Sequence, residues 1–265
     1  MTDLDARTLR DAYDSQIRPE IPDPVPAGVT IDQDGPLFRI VGQDHGGFLT
    51  YRTLDGLAGA ELDALIARQV EFFRARGESV EWKLVGHDEP ADLGDRLRAA
   101  GFVPEEQETV VVGPVAALAA AVPLPPEGVR LREVTAREDL ERIRAMEEAV
   151  WNADRSHLVT GLASEIEADP QSITIVVAEA GDTVVSAGWV RYEGGTGFAS
   201  LWGGSTLPEW RKKGIYRALV AYRARLAEQR GKTFVQVDCS PDSRPILERL
   251  GLVAVTTTTP YVYTP

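Results

Sequence analysis

The stretch LPEWRKKGIY, Leu207–Tyr216, decides how the second half of this 265-residue chain is interpreted. It follows a β-rich segment, 196–207, and precedes a segment whose apolar residues recur every three or four positions as far as Arg230. Pro208 stands where helices often begin, and Gly231 stands where they often end. The pattern predicts a strand, a turn and a long amphipathic helix, in that order.

Three consecutive cations, Arg211, Lys212 and Lys213, are predicted to fall in the first turn of this helix. The N-terminal end of a helix is already positive, so each cation there is unfavourable by roughly 0.3 to 1 kcal/mol. An anion on the free N–H groups of the first turn would offset that cost, and Gly214 would let the backbone approach a phosphate closely. Between residues 205 and 232, eight basic residues stand against two acidic ones, in a chain of net charge -13. We therefore predict a local anion site, with a solvated basic helix end as the alternative.

The segments around the turn show an ordered α/β pattern. Its predicted elements are the strand Val129–Val134, the helices Glu138–Trp151 and Ser156–Ala168, the strands Ile173–Ala178, Val184–Tyr192 and Thr196–Leu207, the long helix to Arg230, the strand Phe234–Val237, the helix Ser243–Leu250 and the strand Val253–Tyr263. The predicted fold class is α/β, in its α+β form.

This order of elements, with R-K-K-G-I-Y at the strand-to-helix turn, resembles the GNAT superfamily of acyl-coenzyme A N-acyltransferases. The family signature there is Gln/Arg-x-x-Gly-x-Gly/Ala, which Arg211 and Gly214 match and from which Tyr216 departs. The resemblance implies a mixed, mostly antiparallel sheet flanked by helices, with backbone amides of the turn on the pyrophosphate of acetyl-CoA or another acyl-CoA. The preceding strand would pair with the pantetheine arm. The implied cofactor-binding residues are Gly204, Thr206, Leu207, Arg211, Lys212, Lys213, Gly214, Ile215, Tyr216, Ser240 and Ser243.

The two serines in that set come from a second family pattern, an Asn, a small residue and a Tyr ahead of a Gly-Phe turn. Counting back from Gly251 places Ser240 at the Asn position, Ser243 at the small position and Leu247 at the Tyr position. In many members this tyrosine protonates the departing thiolate. Its absence implies that another acid, or solvent, supplies the proton here.

The segment Gly113–Gly128, GPVAALAAAVPLPPEG, has the composition of an inter-domain linker. It separates a predicted N-terminal domain, residues 1–112, from a predicted acyltransferase domain, residues 129–265. The chain is long enough for two such domains.

The first region repeats part of the second, with a helix Glu61–Arg76, a strand Val80–Val85 and a helix Leu93–Ala100 in the same succession. The resemblance therefore extends to a degenerate GNAT-like copy in residues 1–112. No R-x-x-G turn lies directly before the helix that starts at Glu61, so we expect that this copy cannot bind the cofactor. The alternative is that unrelated α/β units have the same order of elements and similar residues at the ends of their helices.

Acyl transfer from a thioester to an amine needs a neutral amine, a donor to the developing oxyanion and a proton for the sulfur. Asp238 is the candidate base, because it ends the strand expected to splay from Gly204–Leu207, although it could equally cap the next helix. Glu147, Glu148 and Asp154 are alternative candidates for the base, since the first two helices line the acceptor site in this family. A solvated helix face is the alternative for those three.

The remaining candidates near the expected reaction centre are aromatic or apolar. A main-chain N–H around Trp202–Gly204 would polarise the thioester carbonyl, where two adjacent glycines suit close backbone approach. Trp189, Trp202 and Trp210 line an acceptor pocket or fill the core. Cys239 is expected to be a small buried hydrophobe rather than a nucleophile.

The bulk composition excludes several other classes of protein. One cysteine and three scattered histidines offer neither a disulfide framework nor metal-ligand spacing. No apolar run approaches the ~20 residues of a membrane helix, and Met1–Arg18 lacks a signal-peptide pattern, so a cytoplasmic location is expected. The acidic balance disfavours nucleic acid and anionic membranes as partners.

The resemblance implies an N-acetyltransferase that uses acetyl-CoA, needs no metal and acts on a primary amine of a small molecule or a protein. A non-catalytic acyl-CoA-binding sensor is the main alternative, because the tyrosine is missing. A nucleic-acid contact at the basic helix end is a third reading, against which the overall acidity argues.

Overall fold

A computed structural model describes residues 5–22, 25, 28–43, 46–120 and 123–265. In chain order the first elements are α1 (Ala6–Gln16), β1 (Thr30–Asp34), β2 (Leu37–Val41), β3 (Gly47–Thr50), α2 (Gly59–Arg76), β4 (Val80–Val85), α3 (Leu93–Ala99), β5 (Val103–Pro104), β6 (Glu108–Pro114) and α4 (Val115–Ala120). The later elements are β7 (Val129–Val134), α5 (Arg137–Trp151), α6 (Ser156–Ala168), β8 (Ile173–Ala180), β9 (Thr183–Tyr192), β10 (Phe198–Thr206), a 3-10 turn (Pro208–Trp210), α7 (Ile215–Gln229), β11 (Phe234–Cys239), α8 (Arg244–Arg249) and β12 (Val253–Tyr263).

The chain divides into two compact units. The first holds the residues up to Val111 together with Asp238–Arg244 and Ala254–Pro265, and the second holds Val112–Val237 and Pro245–Val253. These bounds differ from the predicted domains because β12 pairs antiparallel with β4 and its Tyr261 is buried in the core of the first unit. The patterned apolar residues of this last strand predicted a strand without indicating which partner it would find.

The first unit has a mixed sheet. Strands β1, β2 and β3 are antiparallel neighbours, and β3 pairs in parallel with β4 through the crossover helix α2. Helix α2 ends as predicted at Gly77, whose φ of 62° is a conformation that glycine adopts without strain. A core of aliphatic and aromatic side chains around Trp82 holds α2 and α3 against this sheet.

The segment predicted as a linker, residues 113–128, has more regular structure than a linker requires. It includes the end of β6 and helix α4, in which Val115 and Leu118 are fully buried. Residues 121–122 of this segment lie outside the described residues. The alanine content that suggested a linker also favours a helix, and the two apolar side chains give that helix a face to bury.

The second unit is built on five strands. Strands β7, β8, β9 and β10 are successive antiparallel neighbours, and β10 pairs in parallel with β11 through the crossover helix α7. Helices α5 and α6 pack on one face around Ile143, Leu162 and Trp189, and α7 packs on the other around Val185 and Leu219. The predicted mixed, mostly antiparallel sheet flanked by helices is therefore confirmed.

Strand β10 contains a β-bulge at Gly203–Ser205, which we call the bulge. Gly203 lies opposite Gly188 and Ser205 lies opposite Ala187, so Gly204 is the extra residue. Gly203 and Gly204 have φ angles of 68° and 93°. A Cβ on either would come within 2.7 Å of an aromatic ring, that of Trp189 or Tyr216 respectively. Glycine is thus required here by both backbone conformation and space.

Glu179 on β8 is the centre of an ion-pair network that stabilises the second unit. Its carboxylate is 2% exposed and accepts hydrogen bonds from Arg132 at 2.8 Å and Arg142 at 2.9 Å. Hydrogen bonding to Arg132 is the main cause that lowers the pKa of Glu179 to about 2. A carboxyl whose pKa is depressed in the folded state contributes stability above its unfolded pKa, and that contribution is lost as the pH falls through the folded value.

We expect Glu179→Gln to lower the free energy of unfolding at pH 7 by about 2 kcal/mol, less than the pKa shift alone implies because the arginines are partly solvated. Urea denaturation measures this difference, which is expected to shrink between pH 4.5 and pH 2. The matched control is Glu167→Gln, at an exposed position on α6, with an expected change below about 0.5 kcal/mol. Equal changes for the two variants would contradict the role of Glu179.

Candidate active site

The three predicted cations lie in a turn before α7, which corrects their predicted place in its first turn. Helix α7 begins only at Ile215. Lys212 and Gly214 have φ angles of 62° and 85°, outside the right-handed helical region, so the helix cannot start earlier. We call residues Arg211–Gly214 the basic turn.

The positive charge of the basic turn faces solvent. Arg211, Lys212 and Lys213 are all exposed. Arg211 donates through Nε to the carbonyl oxygen of Thr206 at 3.0 Å, and Lys213 Nζ lies 4.4 Å from the ring centroid of Trp210. Within the described part of the chain, no carboxylate oxygen lies within 4.0 Å of these three cations. The charge of the turn is therefore available to an external anion.

The backbone beside the basic turn is rich in hydrogen-bond donors. Gly214 is the N-cap of α7 and supplies no capping side chain, and the first helical bond runs from the Ala218 N–H to the Gly214 carbonyl. The preceding N–H groups of the first turn have no intrahelical acceptor. A Cβ placed on Gly214 would meet no atom within 4 Å, so there is open space beside this residue. The helix N-terminus, its dipole and three exposed cations together form an arrangement that can bind an anion.

The strand end that leads into the turn is held in place by its own contacts. Thr206 Oγ1 shares a hydrogen bond of 2.9 Å with Ser186 Oγ, and the Leu207 N–H donates to the Val185 carbonyl at 3.0 Å. Gly204 lies against the ring of Tyr216. The predicted cofactor-binding residues from Gly204 to Tyr216 are thus brought together in the second unit.

The other predicted site residues belong to the first unit. Asp238 is paired there with the partly buried Lys83, whose Nζ lies 2.8 Å from the Asp238 carboxylate and 2.9 Å from that of Glu20. The hydroxyl groups of Ser240 and Ser243 lie 3.1 Å apart in the turn before α8. The ion pair gives Asp238 a structural partner, so the residue is less suited to act as a base.

Glu147 on α5 is the carboxylate that lies beside the bulge. It is 4% exposed, and its Oε2 accepts hydrogen bonds from Trp151 Nε1 at 2.8 Å and from Ser205 Oγ at 2.9 Å. Its Oε1 is buried and accepts no hydrogen bond from the described residues. Burial raises the pKa of Glu147, and the two hydrogen bonds offset part of that rise. This carboxylate has both the free lone pair and the proton affinity that a general base requires.

The rival carboxylates on the same two helices have local partners. Glu148 pairs with Arg144 at 3.0 Å on the surface of α5. Asp154 is exposed and accepts a hydrogen bond of 2.8 Å from the Ser156 N–H at the start of α6. Each of these two carboxylates is thus held by a partner that is close in sequence.

The aromatic side chains divide between core and surface. Trp189 is 6% exposed and belongs to the core, whereas Trp202 is 40% exposed and Trp151 is 56% exposed. Trp151 was not among the predicted site residues, although its position four residues after Glu147 places both on one helix face. Cys239 is buried as predicted, with its thiol 3.1 Å from the Thr109 carbonyl oxygen.

In the part of the chain that the structure describes, no helix is both long and apolar enough to traverse a bilayer. Three or more His, Cys, Asp or Glu side chains are nowhere grouped there as a metal site would require.

Comparison with protein families gives one match. Residues 138–252 match the model of the acetyltransferase (GNAT) family. That range contains the basic turn, the bulge and Glu147. No curated protein matches the chain.

Solved structures show the same fold at low sequence identity. A GCN5-related N-acetyltransferase from Kribbella flavida superposes with a TM-score of 0.69 at 17% identity, over 100% of this chain and 97% of the other. A tandem GNAT protein of the clavulanic acid biosynthesis pathway gives a TM-score of 0.62 at 14% identity, over 90% and 84% of the two chains. A conserved protein of unknown function from Staphylococcus epidermidis gives 0.66 at 14% identity, over 92% and 98%. At these identities the similarity concerns the fold alone.

Proposed function

We propose that the protein transfers an acetyl group from acetyl-CoA to a primary amine, on the premise that residues 138–252, which match the model of the acetyltransferase (GNAT) family, form such an enzyme domain. The observation that carries the proposal is the basic turn, whose three exposed cations lie directly before a 15-residue helix and have no carboxylate within 4.0 Å among the described residues. The acceptor is an amine of a small molecule or a protein. In a chain of net charge -13, this local positive site suits a polyanionic co-substrate rather than nucleic acid.

The residues of the second unit fit acetyl-CoA. The cations of the basic turn and the N–H groups that follow Gly214 would hold the pyrophosphate. The strand end Gly204–Leu207 would run beside the pantetheine arm, and the bulge would offer main-chain N–H groups to the thioester carbonyl. Acetyl-CoA supplies the activated acyl group, and the chain supplies binding, orientation and proton transfer.

Glu147 is the proposed general base. An alkyl ammonium has a pKa near ~10.4, so the acceptor needs a proton acceptor close by, directly or through water. The Oε1 atom of Glu147 is buried without a hydrogen bond among the described residues and can receive that proton. Trp151 and Ser205 hold the other carboxylate oxygen in a fixed position.

The first unit is proposed to be a copy of the same fold that has lost cofactor binding. Its β3, α2 and β4 form a parallel crossover like that of β10, α7 and β11. The residues between β3 and α2 include Asp55, and the first turn of α2 contains Glu61. These acidic residues would repel a pyrophosphate, so acetyl-CoA is expected to bind at one site per chain.

The function is tested by following free thiol while acetyl-CoA is mixed with a panel of primary amines. Thiol release that depends on an amine supports the transferase. Acetyl-CoA binding without release, for every amine tried, would favour the alternative of a non-catalytic sensor.

A further inference from the structure

A buried arginine lies directly behind the bulge. Arg223 on α7 is 1% exposed and points its guanidinium at the sheet. Its Nη1 donates to the carbonyl oxygens of Trp202 at 2.8 Å and Trp189 at 3.1 Å, and its Nε donates to that of Leu219 at 3.2 Å. Gly188 makes room for it, since a Cβ there would lie 2.7 Å from Nη1. These hydrogen bonds hold the guanidinium of Arg223 against the sheet.

The guanidinium of Arg223 has no acidic partner among the described residues. Among the residues that the structure describes, no carboxylate lies within 4.0 Å of Arg223, so main-chain carbonyl groups are its hydrogen-bond acceptors. Burial lowers the pKa of Arg223 to about 10, and the group stays charged at neutral pH. A buried charge without a counter-ion is unfavourable, and apolar replacements of buried charges are often neutral or stabilising. The three carbonyl groups accept its hydrogen bonds, but none of them neutralises its charge.

The position of the charge suggests its use. The carbonyl of Trp202 and the N–H of Gly203 belong to one peptide group, and that N–H lies at the bulge. A charge-assisted hydrogen bond to a carbonyl oxygen polarises the whole peptide group and makes its N–H a stronger donor. Because the protein interior has a low dielectric constant, the positive charge of Arg223 also attracts negative charge that develops on the other side of the strand.

We infer that Arg223 is a positioning residue that polarises the Trp202–Gly203 peptide, so that the N–H groups of the bulge stabilise negative charge on the thioester oxygen. The inference rests on the proposed function. In the transfer step the amine nitrogen forms a bond to the thioester carbon, and the carbonyl electron pair moves onto oxygen. When that pair returns, the C–S bond breaks, the thiolate leaves, and the proton lost by the amine passes to Glu147 and then to solvent or sulfur.

The test compares the neutral variants Arg223→Met and Arg223→Gln with Arg223→Lys, which retains the charge. We expect each neutral variant to lower kcat at least 10-fold, less than the ~10²–10³-fold loss from removing an oxyanion donor outright because the N–H group itself remains, while the Kd of acetyl-CoA changes less than about threefold. Arg223→Lys is expected to recover part of kcat. Arg225→Met, two residues along α7 with its guanidinium over the ring of Tyr222, is the matched control and is expected to behave as wild type.

The readout that a purely structural role would not change is the carbonyl stretch of bound acetyl-CoA labelled with carbon-13 at the thioester carbon. In the wild type it is expected to shift below the frequency of free acetyl-CoA, and the neutral variants are expected to lose that shift. A folded neutral variant that keeps both kcat and the shift would overturn the inference. So would a failure of both neutral variants to fold, because Arg223 would then act in stability. Wild-type protein that does not bind acetyl-CoA would overturn the proposed function as well.

Discussion

Gly214→Glu is expected to weaken acetyl-CoA binding at least 100-fold while the protein stays folded. The new carboxylate would stand at the N-terminus of α7, where a Cβ has open space and where the pyrophosphate is proposed to lie. Two like charges about 4 Å apart near a protein surface repel by about 4 kcal/mol, and a 100-fold loss of affinity needs only about 2.8 kcal/mol. Isothermal titration with acetyl-CoA measures the change.

The control for this variant is Gly231→Glu, at the other end of α7. Gly231 also has a positive φ, 72°, and open space around its Cβ position, so both substitutions impose a similar backbone strain. Only the first adds charge at the basic turn. Wild-type affinity in a folded Gly214→Glu protein, or an equal loss from Gly231→Glu, would refute the anion site.

Glu147→Gln is expected to lower kcat by a factor of about 10² to 10³ with little effect on the Kd of acetyl-CoA, because a positioned base contributes rate and not cofactor affinity. The pH profile gives a second readout. Glu147 must be ionised to accept a proton, and burial raises its pKa above the ordinary value of 4.5. Wild-type kcat/KM is therefore expected to fall as the pH drops through that raised pKa, and this step should be absent from the variant.

The control is Glu148→Gln, the next residue on α5, which pairs with Arg144 at the surface. It should retain kcat within about twofold, since removing one partly exposed ion pair changes little. If the Glu147→Gln enzyme keeps the wild-type kcat and the same fall in kcat/KM at low pH, another group must be the base.

The fold of the second unit could be predicted because its signals are local. The helical stripe of α7, the β-branched run of β8 and the glycines after α7 and α8 lie within short windows of sequence. The start of α7 was placed too early, because the positive φ of Lys212 is not visible in its residue type. The partner of β12 could not be predicted either, since strand pairing is decided by tertiary contacts.

In the candidate site too, features that are local in sequence could be predicted, and contacts between distant residues could not. The basic turn is contiguous in sequence and could be predicted, whereas Glu147 and Ser205 meet across 58 residues of chain. Asp238 was chosen for its place at a strand end, and its pairing with Lys83 depends on a strand that is distant in sequence. In the sequence, Arg223 is one more basic residue near the turn. Its burial could not be predicted, because arginine is usually exposed.

The proposed role of the basic turn is tested most directly by titrating the protein with acetyl-CoA and, in parallel, with S-acetylpantetheine, which carries the same thioester without the pyrophosphate and nucleotide. The expected result is one site per chain with a micromolar Kd for acetyl-CoA and at least 100-fold weaker binding of S-acetylpantetheine. Equal affinity for the two compounds, or no binding of acetyl-CoA, would contradict pyrophosphate binding at the start of α7.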